Sequence, residues 1–165
     1  ETFGEIVTQN REMIFIFERL KSVVKTMQPI LITGETGVGK ELVARYIHKL
    51  SGVKGKLVVV NVAGLDDNMF SDTLFGHAKG AFTGADQIRR GMIESAALGT
   101  LFLDEIGDMN HNLQGKILRV LQEQTIEPVG GRGSKKVDVR VVAATNRNLE
   151  QAVRRVVSGK IFIFG

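Results

Sequence analysis

The 165-residue sequence contains no cysteine, which excludes both a disulfide scaffold and a thiolate metal site. Its three histidines, His48, His77 and His111, lack metal-ligand spacing and are expected on the surface or in ordinary packing. No apolar run approaches the ~20 residues that cross a bilayer, and the first residues do not read as a secretory leader. A cytoplasmic protein with no membrane partner is the expectation. An Asn-Lys-x-Asp guanine-reading motif is also missing, which counts against a GTPase switch. Internal repeats, low-complexity stretches and linker composition are absent too, so residues 1–165 read as one domain.

Charge is equally uninformative. Lysine and arginine exceed aspartate and glutamate by 22 to 18, and the excess is dispersed. The densest basic patch, Arg132-Gly-Ser-Lys-Lys136, falls in a turn before a strand and reads as a solvated loop rather than a nucleic-acid contact.

What is present is an alternation of helix and strand signals. Met13, Phe17, Leu20, Val24 and Met27 recur at steps of four and three, which predicts a helix of about 17 residues stopped by Pro29. Residues 30–33 predict a short buried strand. Leu42, Val43, Tyr46, Ile47 and Leu50 predict a second helix, closed by Ser51-Gly52. Residues 57–60 form a β-branched run expected to be covered on both faces. A helix over 66–75, a weaker one near 89–97 and a strand over 100–104 come next. Leu113, Ile117, Val120 and Leu121 then mark a further helix, and 137–145 predicts a fourth strand. Strands alternating with helices imply an α/β fold, a mostly parallel sheet in a three-layer α-β-α sandwich. Ligands in such sheets sit beyond the carboxyl ends of the strands.

The chemistry concentrates at three strand ends. Ile30-Leu-Ile-Thr-Gly-Glu-Thr-Gly-Val-Gly-Lys-Glu41 runs from strand into helix through a glycine-rich turn. Gly34, Gly37 and Gly39 let several backbone N–H groups converge on one anion, with Glu35, Thr36 and Val38 between them. Lys40 can then reach the terminal phosphates. The pattern matches the Walker A loop, except that Glu41 replaces the usual hydroxyl residue. Thr100-Leu-Phe-Leu-Asp-Glu105 fits a Walker B strand, with Asp104 holding Mg²⁺ directly or through water and Glu105 polarising a water for attack on the γ-phosphate. These two strand ends are expected as neighbouring β-edges. Ala144-Thr145-Asn146 ends the fourth strand, either as a sensor of the γ-phosphate or as a plain polar terminus.

Together these residues resemble the AAA+ ATPase domain of the sigma-54-dependent transcription activators, over nearly the whole chain. The most specific element is Gly80-Ala-Phe-Thr-Gly-Ala85, which spells the family's GAFTGA surface loop, preceded by a family-like Leu74-Phe-Gly-His77. The resemblance implies a P-loop NTPase that binds ATP and Mg²⁺ and forms homo-oligomeric rings, usually hexamers. In such rings Gly80, Ala81, Phe82, Thr83, Gly84 and Ala85 press on sigma-54 RNA polymerase. Glu41 is the family's expected residue, which leaves more of the metal coordination to Asp104 and water. Asn61 matches the asparagine that restrains the Walker B glutamate, and Asn146 part of sensor I.

Two departures from the family stand out. Leu98 occupies a position where the family has a small or polar residue, which is expected to be a local packing change. After Leu149 the family continues into a segment whose arginines reach a neighbour's active site. Here Ile161-Phe-Ile-Phe164 takes their place, and Arg154 and Arg155 fall too early for that role. The fifth core strand, the helical lid and the DNA-binding domain are expected to be missing, so DNA would be bound only through a domain outside this chain. A hydrolysis-deficient, ATP-binding interaction module is the alternative this implies.

Overall fold

Ile30–Thr33 (β1), Leu57–Asn61 (β2), Thr100–Asp104 (β3), Arg140–Thr145 (β4) and Phe162–Phe164 (β5) form a five-stranded sheet in the order β5-β1-β4-β3-β2. All its pairings are parallel. The computed structural model describes residues 1–63, 67–109, 111–146 and 162–164.

Alternation along each strand sends side chains into two apolar layers. Leu31, Val58, Val60, Leu101, Leu103, Val141 and Ala143 face one layer. That layer is closed by Asp67–Phe75 (α3), Met92–Ser95 (α4) and His111–Glu123 (α5). Ile30, Ile32, Phe102, Val142 and Ala144 face the other, closed by Arg11–Val23 (α1) and Lys40–Ser51 (α2). The three-layer α/β sandwich is therefore as expected, and Leu57 and Val59 packing opposite to Val58 and Val60 covers β2 on both faces.

Several elements depart from the sequence reading. The first helix starts at Asn10, whose Oδ1 accepts the Glu12 and Met13 N–H groups, but ends at Val23 and tightens into a 3₁₀ turn over Val24–Thr26. Met27 lies outside it, in the left-handed region at φ 57°. Arg140 explains that corner: its guanidinium is fully buried and donates to the Val24 carbonyl, the Gln28 carbonyl and the Met27 sulfur. Capping orphan carbonyls with a cation satisfies the helix end, while burial disfavours the charge and, among the described residues, the Nε has no partner.

The helix expected near 89–97 shrinks to the single turn Met92–Ser95, because Arg89–Arg90 pairs antiparallel with Gly76–His77. The fourth strand begins only at Arg140; before it, Val137 and Val139 give their N–H groups to the backbone and side-chain oxygens of Gln124. Leu98 is not a packing change. It is exposed and takes a left-handed backbone at φ 60°, a conformation that favours glycine or asparagine.

The largest correction concerns the tail. A fifth strand was not expected, yet Phe162–Phe164 pairs in register with Ile30, Leu31 and Ile32 and extends the sheet beside the phosphate-loop strand. The expected helix start at Asp66 and the expectations for Arg154 and Arg155 lie outside the described residues.

Candidate nucleotide site and surface loop

Four strand ends meet at the carboxyl edge of the sheet. Thr33 of β1 is level with Thr145 of β4, and the Gly34 N–H donates to the Thr145 carbonyl at 3.2 Å. Asn61 of β2 is level with Asp104 of β3, and the Val62 N–H donates to the Asp104 carbonyl at 3.0 Å. The phosphate-loop and acidic strands are not neighbours, contrary to expectation: β4 runs between them and places Thr145 and Asn146 in the gap. Strand length and composition could not have given that order, which comes from the crossover path.

The glycine turn has the form a phosphate cradle needs. Gly37 and Gly39 adopt φ 84° and 94°, which a side-chain-bearing residue takes only under strain. Gly39 leads directly into α2, so the first free N–H groups of that helix face the loop. Lys40, although only 7% exposed, reaches back and donates to the Gly34 and Glu35 carbonyls at 2.9 and 2.8 Å. Thr36 and Val38 are exposed at the turn's tip. Glu41 points away to an ion pair with Arg45 at 2.6 Å on the helix surface.

On the acidic side, Asp104 ends its strand half-buried and Glu105 follows at φ 59°, ψ 44°. A non-glycine residue held in this region stores backbone strain, which clusters at functional sites. The kink separates the directions of two adjacent carboxylates. Asn61 uses its Oδ1 to accept the Ala63 N–H at 2.9 Å.

Among the described residues, three buried oxygens here lack hydrogen-bond partners: Asp104 Oδ1, Thr145 Oγ1 and Asn146 Oδ1. Buried polar atoms are normally satisfied, so a cluster of orphans on adjacent strand ends marks a place for a polar ligand. Among the described residues no group of three or more His, Cys, Asp or Glu could hold a metal alone. A hard cation at Asp104 would therefore need oxygens from a bound anion and water, which is how Mg²⁺ is ordinarily held beside phosphates. The donor set fits Mg²⁺ with a nucleotide.

Sequence reading missed the apolar half of the site. A cavity of about 290 Å³ opens between α1 and the glycine turn, lined by Met13, Ile16, Phe17, Val38 and Val43 with Lys40 at its side. Its apolar walls suit a flat heterocycle next to a phosphate cradle. Met13 and Phe17 are legible as a helical stripe, but nothing in the sequence says that this stripe also walls a cavity beside the loop.

The 80–85 loop closes on itself: the Gly80 N–H donates to the Ala85 carbonyl at 2.8 Å and the Ala85 N–H to the Phe82 carbonyl at 3.1 Å. Ala85 is buried, Ala81 half-buried, and Phe82 and Thr83 are exposed. Gly80 and Gly84 flank the tip at φ 79° and 93°. His77 beneath it is not ordinary surface or packing. Its Nδ1 lies 2.5 Å from Asp72 Oδ1 and its Nε2 2.9 Å from the Gln87 carbonyl, and Phe82 meets the ring edge-on at 4.9 Å.

Against this geometry, the family model described as the Sigma-54 interaction domain matches residues 6–159. The chain is 49% identical over 151 residues to the nitrogen fixation protein VnfA of Azotobacter vinelandii, covering 91% of this chain and 29% of that protein. It is 46% identical over 153 residues to the regulatory protein AtoC of Escherichia coli K12, covering 92% and 33%. Among solved structures, NtrX from Brucella abortus in complex with ATP superposes with a TM-score of 0.79 at 36% identity, over 97% of this chain and 38% of that one. Its ADP complex gives 0.80 at 35% identity, over 96% and 36%. The chain thus spans about a third of the length of these relatives.

Proposed function

The chain belongs to the Sigma-54 interaction domain family, and we propose that it binds and hydrolyses ATP with Mg²⁺ to drive its 80–85 loop against sigma-54 RNA polymerase. The observation that carries the nucleotide reading is the convergence of the glycine cradle, Lys40 and three unpartnered oxygens on one sheet edge. The N–H groups of residues 34–40 bind phosphate oxygens, and Lys40 exchanges its two carbonyl partners for them. The cavity against Met13, Ile16 and Phe17 takes the base. Asp104 would hold the Mg²⁺, which would offset phosphate charge there.

Glu105 accepts the proton of the attacking water as its oxygen bonds the γ-phosphorus. The bond to the β-phosphate bridging oxygen then breaks, leaving ADP and phosphate. Asn146 and Thr145, between the two halves, orient that water or the γ-phosphate. Asn61, level with Asp104 on the neighbouring strand, restrains Glu105. The functional unit is a ring of copies in the cytoplasm, six on the family pattern, with DNA bound through parts of a longer protein.

Exposed Phe82 and Thr83 on a glycine-flanked tip supply an apolar and a hydrogen-bonding contact for the polymerase factor. Thr83→Ala is expected to weaken sigma-54 binding in an ATP transition-state analogue by roughly tenfold, the cost of one lost interface hydrogen bond. ATP affinity should be unchanged. Undiminished sigma-54 binding by this variant, measured by titration, would refute the assignment of the loop.

A further inference from the structure

His77 joins three segments that are separate in sequence. It ends α3's extension, where Gly76 turns the chain at φ 73°; a Cβ on Gly76 would lie 2.1 Å from the Arg89 carbonyl, so the two legs of the loop touch backbone to backbone there. From that position the ring bonds Asp72 on α3, the Gln87 carbonyl on the far side of the loop, and the Phe82 ring at the tip. Asp72 is itself held from the other leg by Arg89, at 3.0 Å. Each ring nitrogen faces an acceptor oxygen, which fixes the orientation of the imidazole. With only 9% of its surface exposed, a ring fixed at both nitrogens cannot swing without breaking both bonds.

Phe82 is 47% exposed, so part of its ring faces solvent while the rest lies in a T-shaped contact with His77. From this arrangement we infer that His77 is a positioning residue for the surface loop: it pins Phe82 in the pose presented to a partner and ties that pose to α3 and to the Arg89–Arg90 leg. Without it the loop keeps its own turn bonds and the approach of Ala81 to Gly130, but Phe82 loses its aromatic contact. The consequence for sigma-54 rests on the reading given above for the loop; the pinning of Phe82 does not.

The sequence holds no tryptophan, so Phe82→Trp places a single reporter at the tip. Adding His77→Ala to that background should raise the acrylamide quenching constant of the indole about twofold, as the loss of an edge-on aromatic contact frees the ring. Asp72→Asn, which leaves the ring in place but weakens its anchor, should raise it by less. With native Phe82, His77→Ala should weaken sigma-54 binding about fivefold while ATP affinity stays within twofold of the unmodified chain. An unchanged quenching constant in both variants would overturn the proposal, as would unchanged sigma-54 binding in His77→Ala alongside weakened binding in Thr83→Ala. Quenching needs no sigma-54, so a failure there condemns the peg, whereas full sigma-54 binding by Thr83→Ala condemns the reading of the loop. In that second case the quenching constants alone decide on His77.

Discussion

Glu105→Gln should lower steady-state ATP turnover by about 10²–10⁴-fold, the usual worth of general-base assistance, while ATP still binds. The change keeps shape and removes only the group that can accept a proton. Asp104 remains for the cation, and the glycine cradle, Lys40 and the apolar cavity are untouched. The left-handed backbone at residue 105 should persist as well, because it follows from the strand end and the 3₁₀ turn over Ile106–Asp108 rather than from the carboxylate. Measured against protein concentration, turnover by the unmodified chain should rise faster than linearly if copies complete one another's sites. Equal turnover by Glu105→Gln would remove that residue from the chemistry. No turnover at any concentration, with ATP binding intact, would mark the chain as a binding module.

Lys40→Ala should abolish about half or more of the stabilisation by ATP. A ligand at one hundred times its dissociation constant adds about 2.7 kcal/mol to the folded state, which for a domain of this size is a rise of about 5–11 °C in melting temperature. Replacing the lysine deletes hydrogen bonds to a charged group worth about 1.5–3 kcal/mol, or roughly 10–100-fold in affinity. At the lower end of that affinity the same nucleotide concentration gives only about 0.4 kcal/mol, a shift of about 1–2 °C. Thermal melts of both proteins with and without ATP read this directly. A full shift in Lys40→Ala would mean that the phosphates bind elsewhere. The ammonium's present partners, the Gly34 and Glu35 carbonyls, are exchangeable because they belong to the loop that closes on the ligand.

Much of this site was legible because local chemistry and local structure coincide. A β-branched run, a glycine turn and a lysine opening a helix can form only one kind of element in sequence order, and Ile30–Thr33 and Lys40–Ser51 begin where that pattern says. Thr100–Asp104 is likewise framed by its own residues. What failed depended on partners distant in sequence. Met27 continues the apolar period of α1, yet Arg140, more than a hundred residues later, captures the carbonyls around it and the helix ends early. Arg89 and Arg90 have no strand signature of their own; they pair because Gly76 admits a close backbone. Phe162–Phe164 reads in sequence as a departure from an arginine segment, although a continuous apolar run suits a strand of a parallel sheet and it pairs beside β1. His77 is indistinguishable in sequence from the other histidines, because nothing in a one-dimensional spacing brings Asp72, Phe82 and Gln87 to one ring.

The central claim is that Lys40, which opens α2 after β1, and Asp104, which ends β3, serve one nucleotide and one cation although β4 lies between the two strands. A crystal structure with a non-hydrolysable ATP analogue and Mn²⁺ in place of Mg²⁺ tests it most directly, since manganese reveals itself by anomalous scattering. The account predicts the metal peak beside the Asp104 carboxylate and the Lys40 ammonium on the phosphates of the same molecule. A Lys40 still bonded to the Gly34 and Glu35 carbonyls with the analogue in place, or a metal peak remote from Asp104, would contradict it.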